Sequence, residues 1–264
     1  MSTNESDIRV ESSGGILRVT INRPEKRNAL SAEVLRSLGE AFSSHRDDRG
    51  LRVAILRGAG EQCFAAGGDL RELAAITTLE GAASMARDAK ASLETIRQFP
   101  LPVVAALNGD AMGGGAELAV ACDFRIAAAH ARIGFVQGRL NIATAWGGGI
   151  DLMRLLGTSR ALNLMCRGDM LSGAEASSIG LVDAVAREGQ SLDDLISDFI
   201  APILKQAPQV LRAFKAVASG VRAGLSRDEL NDIETRMFAQ TWVHDDHWTA
   251  AEKITSKWKP GNRT

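Results

Sequence analysis

The chain has 264 residues, 45% of them hydrophobic and 24% charged, and a formal net charge of −1. This balance is typical of a globular protein with a sizeable core, and it provides no basic surplus for nucleic acid or for an anionic membrane surface. Three widely spaced cysteines, the lack of any apolar run of ~18 residues and the polar N-terminal segment indicate a cytoplasmic protein without disulfides, a metal site or a membrane span.

The first predicted elements are a strand and a helix. The alternating apolar residues of ILRVTIN, residues 16–22, favour a strand with one buried face. Ser31 is a suitable N-cap for the helix that follows, because Leu30 and Leu35 occupy the two hydrophobic staple positions around it. This helix is expected to pack through a stripe at helical spacing, formed by Val34, Leu35, Leu38 and Phe42.

Four further strands and one long helix complete the predicted core. Residues 51–56 and 103–107 are short apolar runs typical of buried strands, and residues 124–129 and 131–136 continue the strand pattern. Residues 84–98 predict a helix, which the two prolines of FPLP end.

From residue 151 onward the pattern is mostly helical. We therefore predict an α/β core over residues 1–190 and a helical C-terminal region over residues 191–264. The second region is interpreted as an oligomerisation or lid element rather than as an independent domain.

Two glycine-rich segments follow two of the predicted strands: CFAAGGDL, residues 63–70, and GDAMGGGAEL, residues 109–118. A strand that ends in glycines and opens a helix presents free backbone N–H groups, and the helix dipole adds positive charge there. Two such ends that converge would form an oxyanion hole for an oxygen that becomes negative during a reaction. The alternative is a pair of packing or phosphate-binding turns, although neither segment matches GxGxxG or a P-loop.

Segments along nearly the whole chain resemble the crotonase superfamily, which contains enoyl-CoA hydratases and isomerases. In chain order they are INRPEKRNALS, FAAGGDLREL, FPLPVVAALNGDAMGGGAELAVACDFRIAA, AWGGGIDLMRLLG and SSIGLVDAV. The resemblance implies an α/β fold, with a crotonase-like superhelical core of repeated β-β-α turns and a C-terminal helical trimerisation region. It also implies trimers or dimers of trimers, an acyl thioester of coenzyme A as substrate, and no cofactor apart from that coenzyme.

The matching motifs also imply site residues. The resemblance places Gly68 and Gly114 at the two N–H groups that bind the thioester oxygen, and Glu117 at one of two glutamates that hold and activate a water. It assigns contacts with coenzyme A to Lys26, Arg27, Ala29, Leu30, Ala66, Asp69, Leu70 and Lys257. Without the resemblance, the cations in this set would be interpreted as exposed side chains of a loop and a tail.

One position departs from the hydratase pattern. The hydratases carry their second glutamate after a proline, and the corresponding pair here is Val136 and Gln137. A neutral amide does not transfer a full proton near neutral pH, so the two-acid addition of water loses a general acid. No acid lies between Ala131 and Ile150, so a shifted alignment does not restore the carboxylate. The alternative is that Gln137 is a passive polar residue.

Several reactions of a thioester enolate therefore stay open. Glu117 alone would suffice for double-bond isomerisation, and hydration with Gln137 orienting the water is conceivable. Decarboxylation of a malonyl-type substrate needs an apolar pocket, which Trp146 would line unless it serves packing alone. The favoured function is an acyl-CoA lyase of enoyl-CoA hydratase/isomerase type. The alternatives are a decarboxylase, an isomerase that uses one glutamate, and a non-catalytic protein that binds CoA thioesters.

Overall fold

The structure is a computed structural model that describes residues 6–256, so the candidate Lys257 lies outside the described residues. The chain forms two compact units, with the boundary between Lys205 and Gln206. The first unit contains all the strands found in the described residues.

Ten strands build two sheets in the described part of the first unit. They are β1 (Ile8–Ser13), β2 (Ile16–Ile21), β3 (Val53–Gly58), β4 (Cys63–Ala65), β5 (Val103–Leu107), β6 (Asp110–Met112), β7 (Phe124–Ala127), β8 (Arg132–Gly134), β9 (Leu171–Ser172) and β10 (Ala184–Val185).

Eight α-helices surround these sheets, and two short 3-10 turns, Pro24–Lys26 and Gln137–Leu140, interrupt the loops of the described chain. The helices are α1 (Ala32–Ser44), α2 (Leu70–Leu73), α3 (Leu79–Arg97), α4 (Gly114–Ala121), α5 (Gly148–Leu156), α6 (Thr158–Arg167), α7 (Gly173–Ser178) and α8 (Leu192–Leu204).

The larger sheet has the strand order β1-β2-β3-β5-β7-β10 and is parallel except for the β1–β2 hairpin. All five residues of β5 are buried, because elements cover both faces of this central strand. On one face α8 contributes Leu195, Ile196 and Ile200 to a buried cluster with strand residues such as Val53 and Val104. The first unit therefore extends past residue 190, where the sequence pattern placed the end of the core, because α8 packs on the sheet.

The smaller sheet has the order β4-β6-β8-β9, and its first three strands are parallel. Strands β4 and β6 lie between a long strand and the glycines that follow it, at positions where the sequence predicted no strand. Because Cys63 pairs with Asp110 and Ala65 with Ala111, the two glycine-rich segments leave this sheet side by side. The strand–strand–helix turn that the resemblance implied is thus repeated along the core.

Several local predictions are confirmed. The Ser31 side chain accepts a hydrogen bond from Val34 N at 3.2 Å and caps α1, whose predicted apolar stripe is buried. Strand β5 has its predicted limits. Helix α3 begins at Leu79, earlier than predicted, because Thr78 caps it by accepting from Gly81 N.

The second unit, where described, consists of helices α9 (Pro208–Ala223), α10 (Arg227–Trp242) and α11 (Asp245–Thr255). His244, in the His-Asp-Asp-His segment, caps α11 by accepting from Asp246 N at 3.2 Å. The described residues contain no group of three or more His, Cys, Asp or Glu side chains that could hold a metal ion. None of their helices is both long and apolar enough to cross a membrane.

We predict that Ile196→Ala destabilises the first unit by about 2–5 kcal/mol, because it leaves a cavity where α8 meets the sheet. Chemical unfolding followed by circular dichroism measures the change. The neighbouring exposed Ser197→Ala is the control and should stay within about 0.5 kcal/mol of the parent. Equal effects of the two substitutions would contradict the packing of α8 into the core.

Candidate active site

Two backbone N–H groups, those of Gly68 and Gly114, lie at the ends of the neighbouring glycine segments. Leu30 N donates to Gly67 O, and Leu30 O accepts a hydrogen bond from Asp69 N, so the groups on either side of Gly68 face Leu30. The N–H of Gly68 itself therefore points away from Leu30. Gly114 is the first residue of α4, where a helix leaves N–H groups without an internal partner. Within residues 6–256 neither N–H has a hydrogen-bond partner.

The indole ring of Trp146 lies against both glycines. A Cβ atom placed on Gly68 would lie 3.6 and 3.7 Å from ring atoms of Trp146, and one on Gly114 would lie 2.2–2.9 Å from that ring. A side chain at Gly114 is therefore incompatible with the indole in its present position. A Cβ on Gly67 would lie 3.3 Å from Gly114 N, which shows how closely the two segments approach. Trp146, which is 5% exposed, thus marks one wall of a small space shared by the two glycines.

Glu117, one turn into α4, is buried, with 2% of its surface exposed. Its Oε2 accepts hydrogen bonds of 2.9 Å from Trp146 N and from Gly148 N. Its Oε1 accepts from Gln137 Nε2 at 2.9 Å and from Ala145 N at 3.4 Å. Three of these four donors are backbone groups at the first residue of α5 and in the segment just before it, where the helix dipole favours a negative charge.

Burial raises the pKa of Glu117, because the low-dielectric surroundings penalise the charged form. The hydrogen bonds from Gly148, Trp146, Ala145 and Gln137 oppose this shift, but the net direction is upward. A carboxyl group whose pKa is raised toward neutrality is suited to accept and return a proton.

Gln137 joins this network from the 3-10 turn and is also buried, at 8% exposure. Its Nε2 donates to Glu117, which fixes the amide orientation because a carboxylate only accepts. Its Oε1 is buried without a hydrogen-bond partner. An unsatisfied buried acceptor is costly, so a donor such as a water or a hydroxyl group is expected beside it.

The predicted coenzyme A residues of the first unit lie on two segments joined by backbone hydrogen bonds. Ala66 N donates to Arg27 O at 3.1 Å, and Leu30 N donates to Gly67 O at 2.8 Å. Asp69 caps α2, and its carboxylate also accepts from Arg23 Nη2 at 3.2 Å. The exposed members of the set are Lys26, Arg27 and Leu70, whereas Ala29, Ala66 and Asp69 are half-buried and Leu30 is buried.

A cavity of about 600 Å³ adjoins Trp146 on the side of α1 and α3. The sequence placed a pocket wall at Trp146, but it did not predict which residues of α1 and α3 line the cavity with it. Nor did it predict that Ala145, Trp146 and Gly148 would hold Glu117 through their backbone N–H groups. Any residue can supply a backbone N–H, so the sequence indicated these donors only through the glycine run after Trp146.

The sequence profile of the enoyl-CoA hydratase/isomerase family matches residues 11–261. The chain belongs to this family. It is 34% identical over 256 residues to an enoyl-CoA isomerase/hydratase of Mycosarcoma maydis, covering 93% of this chain and 92% of that protein. It is 32% identical to a short-chain-enoyl-CoA hydratase of Clostridium acetobutylicum, covering 96% of each chain.

The fold leads to the same family. The crystal structure of an enoyl-CoA hydratase from Bacillus anthracis superposes with a TM-score of 0.88 at 31% identity, covering 97% of this chain and 98% of that one. The superfamily resemblance and the crotonase-like α/β fold with a helical C-terminal region are therefore confirmed.

We predict that Gly114→Ala lowers kcat/KM for an acyl-CoA by about 100-fold, because the new Cβ would displace the indole or the start of α4, and with it the N–H expected to bind the thioester oxygen. The matched control is Gly39→Ala in α1, whose Cβ would make only ordinary contacts at 3.5–3.7 Å with Ser92 and Thr95 of α3. Both variants are compared by acyl-CoA kinetics and thermal melting. Parent-like kinetics of a folded Gly114→Ala would show that the Trp146–Gly114 contact does not matter for catalysis.

Proposed function

We propose that this protein is an acyl-CoA lyase of enoyl-CoA hydratase type. In this proposal the Gly68 and Gly114 N–H groups bind the thioester oxygen, and Glu117 carries the proton. The supporting observation is the buried Glu117 carboxylate, paired with Gln137 and adjacent, through Trp146, to two glycines with free N–H groups. Relatives named as hydratases and as an isomerase/hydratase are consistent with this chemistry.

In the proposed hydration, Glu117 accepts a proton from a water while the water oxygen bonds to C3 of a 2-enoyl thioester. The electron pair of the double bond moves onto the thioester oxygen, where two N–H donors stabilise the enolate. The enolate then collapses as C2 takes the proton from Glu117, so H and OH have been added across the bond. The free Oε1 of Gln137 would accept the second O–H of the water and fix its direction.

Isomerisation is the second candidate, because it needs one proton carrier and the buried pair offers one carboxylate and one amide. Glu117 would remove a proton from C2 of a 3-enoyl thioester and return it to C4 of the resulting dienolate. No proton from Gln137 is needed. In both reactions coenzyme A is part of the substrate, no further cofactor takes part, and we propose a cytoplasmic location.

We predict that Glu117→Gln lowers turnover of the preferred substrate by at least about 100-fold, because the proton carrier is lost. The panel contains crotonyl-CoA, 3-enoyl-CoAs and methylmalonyl-CoA, with products read by mass spectrometry. In the parent enzyme the acidic limb of kcat/KM should lie above the ordinary glutamate pKa of about 4.3, because Glu117 must be ionised to act as a base. Activity therefore falls as the pH drops through the raised pKa.

Gln137→Glu tests the proposed position of the water, because it places a second carboxyl group of the same shape beside Glu117. It should raise hydration of crotonyl-CoA relative to isomerisation. Retained turnover in Glu117→Gln, or loss of CO2 from methylmalonyl-CoA as the main reaction, would reject the proposal. Acyl-CoA binding without turnover by the parent would favour a binding protein instead.

We propose that the protein assembles as a trimer or a dimer of trimers through its C-terminal helices. Large apolar side chains on these helices are exposed: Phe214 by 67%, Phe238 by 58% and Trp248 by 50%. Such a concentration of exposed aromatic residues is typical of an interaction surface.

We predict a particle of three or six 28.1 kDa chains by light scattering, and a shift toward monomers in the double variant Phe238→Glu/Trp248→Glu. Introduced charges are costly to bury, so they oppose an apolar interface. A monomeric parent protein at micromolar concentration would contradict the proposal.

A further inference from the structure

The cavity of about 600 Å³ begins beside the proposed reaction centre. Trp146 lines it and also lies against Gly68 and Gly114. Leu30 lines it too, and this residue forms the backbone bridge that flanks Gly68. An acyl group whose thioester oxygen is held by the two glycines therefore has this cavity next to it.

The walls of the cavity are mainly apolar. Leu30 and Leu35 are buried, and Leu73 of α2 and Met85 of α3 are half-buried. The principal apolar lining residues are Leu30, Leu35, Leu73, Ile76, Met85 and Trp146. Such walls favour hydrocarbon, because each methylene moved from water into them is stabilised by the hydrophobic effect.

The rim of the cavity is acidic. Among the described residues that line it, the one cation is Arg36, which already forms ion pairs with Glu33 and Glu40. The two acids of the lining are Glu72, whose carboxylate accepts a hydrogen bond of 3.0 Å from Ala32 N, and the exposed Asp88. Arg36 thus lies among four carboxylates: two line the cavity, and two pair with Arg36 from outside the lining. A negative charge at the far end of an acyl chain would therefore be repelled.

We propose that this cavity selects an uncharged hydrocarbon chain of medium length and discriminates against acyl groups that end in a carboxylate. This inference rests on the proposed function, since it assumes that the thioester lies at Gly68 and Gly114. A volume of 600 Å³ is in the range of about 300–1,000 Å³ that holds whole small ligands, so the short tail of a crotonyl group leaves most of it unfilled.

The first test compares crotonyl-, hexenoyl-, octenoyl-, decenoyl- and dodecenoyl-CoA, as 2-enoyl or 3-enoyl thioesters according to the reaction observed. We expect kcat/KM to rise by about fourfold per buried methylene up to the octenoyl or decenoyl thioester. A profile that is flat, or highest for crotonyl-CoA, would overturn the proposal. Calorimetric binding of the saturated thioesters gives a parallel profile that does not depend on catalysis.

Met85→Trp tests whether the chain occupies this cavity, because the larger side chain fills part of it. We expect the decenoyl-to-crotonyl ratio of kcat/KM to fall by at least about tenfold, and Met85→Ala to shift the optimum toward longer chains. Lys90→Glu, an exposed α3 change outside the lining, is the control and should leave the ratio unchanged. Unchanged ratios in both Met85 variants would place the chain elsewhere.

Asp88→Lys tests the acidic rim. It should raise kcat/KM for a carboxylate-terminated thioester relative to its uncharged analogue by about two- to fivefold, the range of an exposed charge pair. The ratio should fall toward the parent value at high salt. No change at low salt would remove charge selection from the proposal.

The two proposals fail in different ways. Absence of turnover with intact, chain-length-dependent binding would reject the proposed reaction and retain the cavity. Turnover of crotonyl-CoA with no chain-length dependence in kinetics or binding would retain the reaction and reject the cavity as the acyl site.

Discussion

The hydrogen bonds to the Glu117 carboxylate are the constraint on which the active-site region depends. They join helix α4, the Gln137 turn and the N-terminus of α5 at a single buried group. An ionised carboxylate at 2% exposure is tolerated only if donors replace its lost water. The chain between Gln137 and Gly148 is therefore held in the conformation that supplies those donors, and the same conformation brings the Trp146 ring against the glycines.

The approach of α5 to Glu117 requires bare backbone. A Cβ on Gly148 would lie 2.5 Å from the Cα, Cβ and Cγ atoms of Glu117. Likewise, a Cβ on Gly115 would lie 2.0 Å from Ala65 O, so α4 packs directly on the end of β4. The glycines thus serve two purposes: Gly68 and Gly114 leave N–H groups free, whereas Gly115 and Gly148 allow elements to meet at backbone distance.

The sequence predicted the fold class and most of the apolar strands, because β5 is a continuous apolar run and β3 begins with one. It did not predict β4 and β6, which are three residues long and too short to show a period. Their pairing is what brings Gly68 and Gly114 together. Glu117 and Gln137 were identified through the family resemblance, but the three backbone donors to Glu117 were not, since any residue can supply a backbone N–H.

The protonation state of Glu117 decides whether the free end of the Gln137 amide is a hydrogen-bond acceptor or a donor. Facing an ionised Glu117, it turns Nε2 inward and leaves Oε1 as a buried acceptor. Once Glu117 holds a proton on Oε1, that O–H becomes a donor, and the amide matches it only by rotating its own oxygen inward. The free end then becomes an NH2 donor. Protonation of Glu117 on this side would therefore reverse the hydrogen-bonding sense of the free end of Gln137, from acceptor to donor.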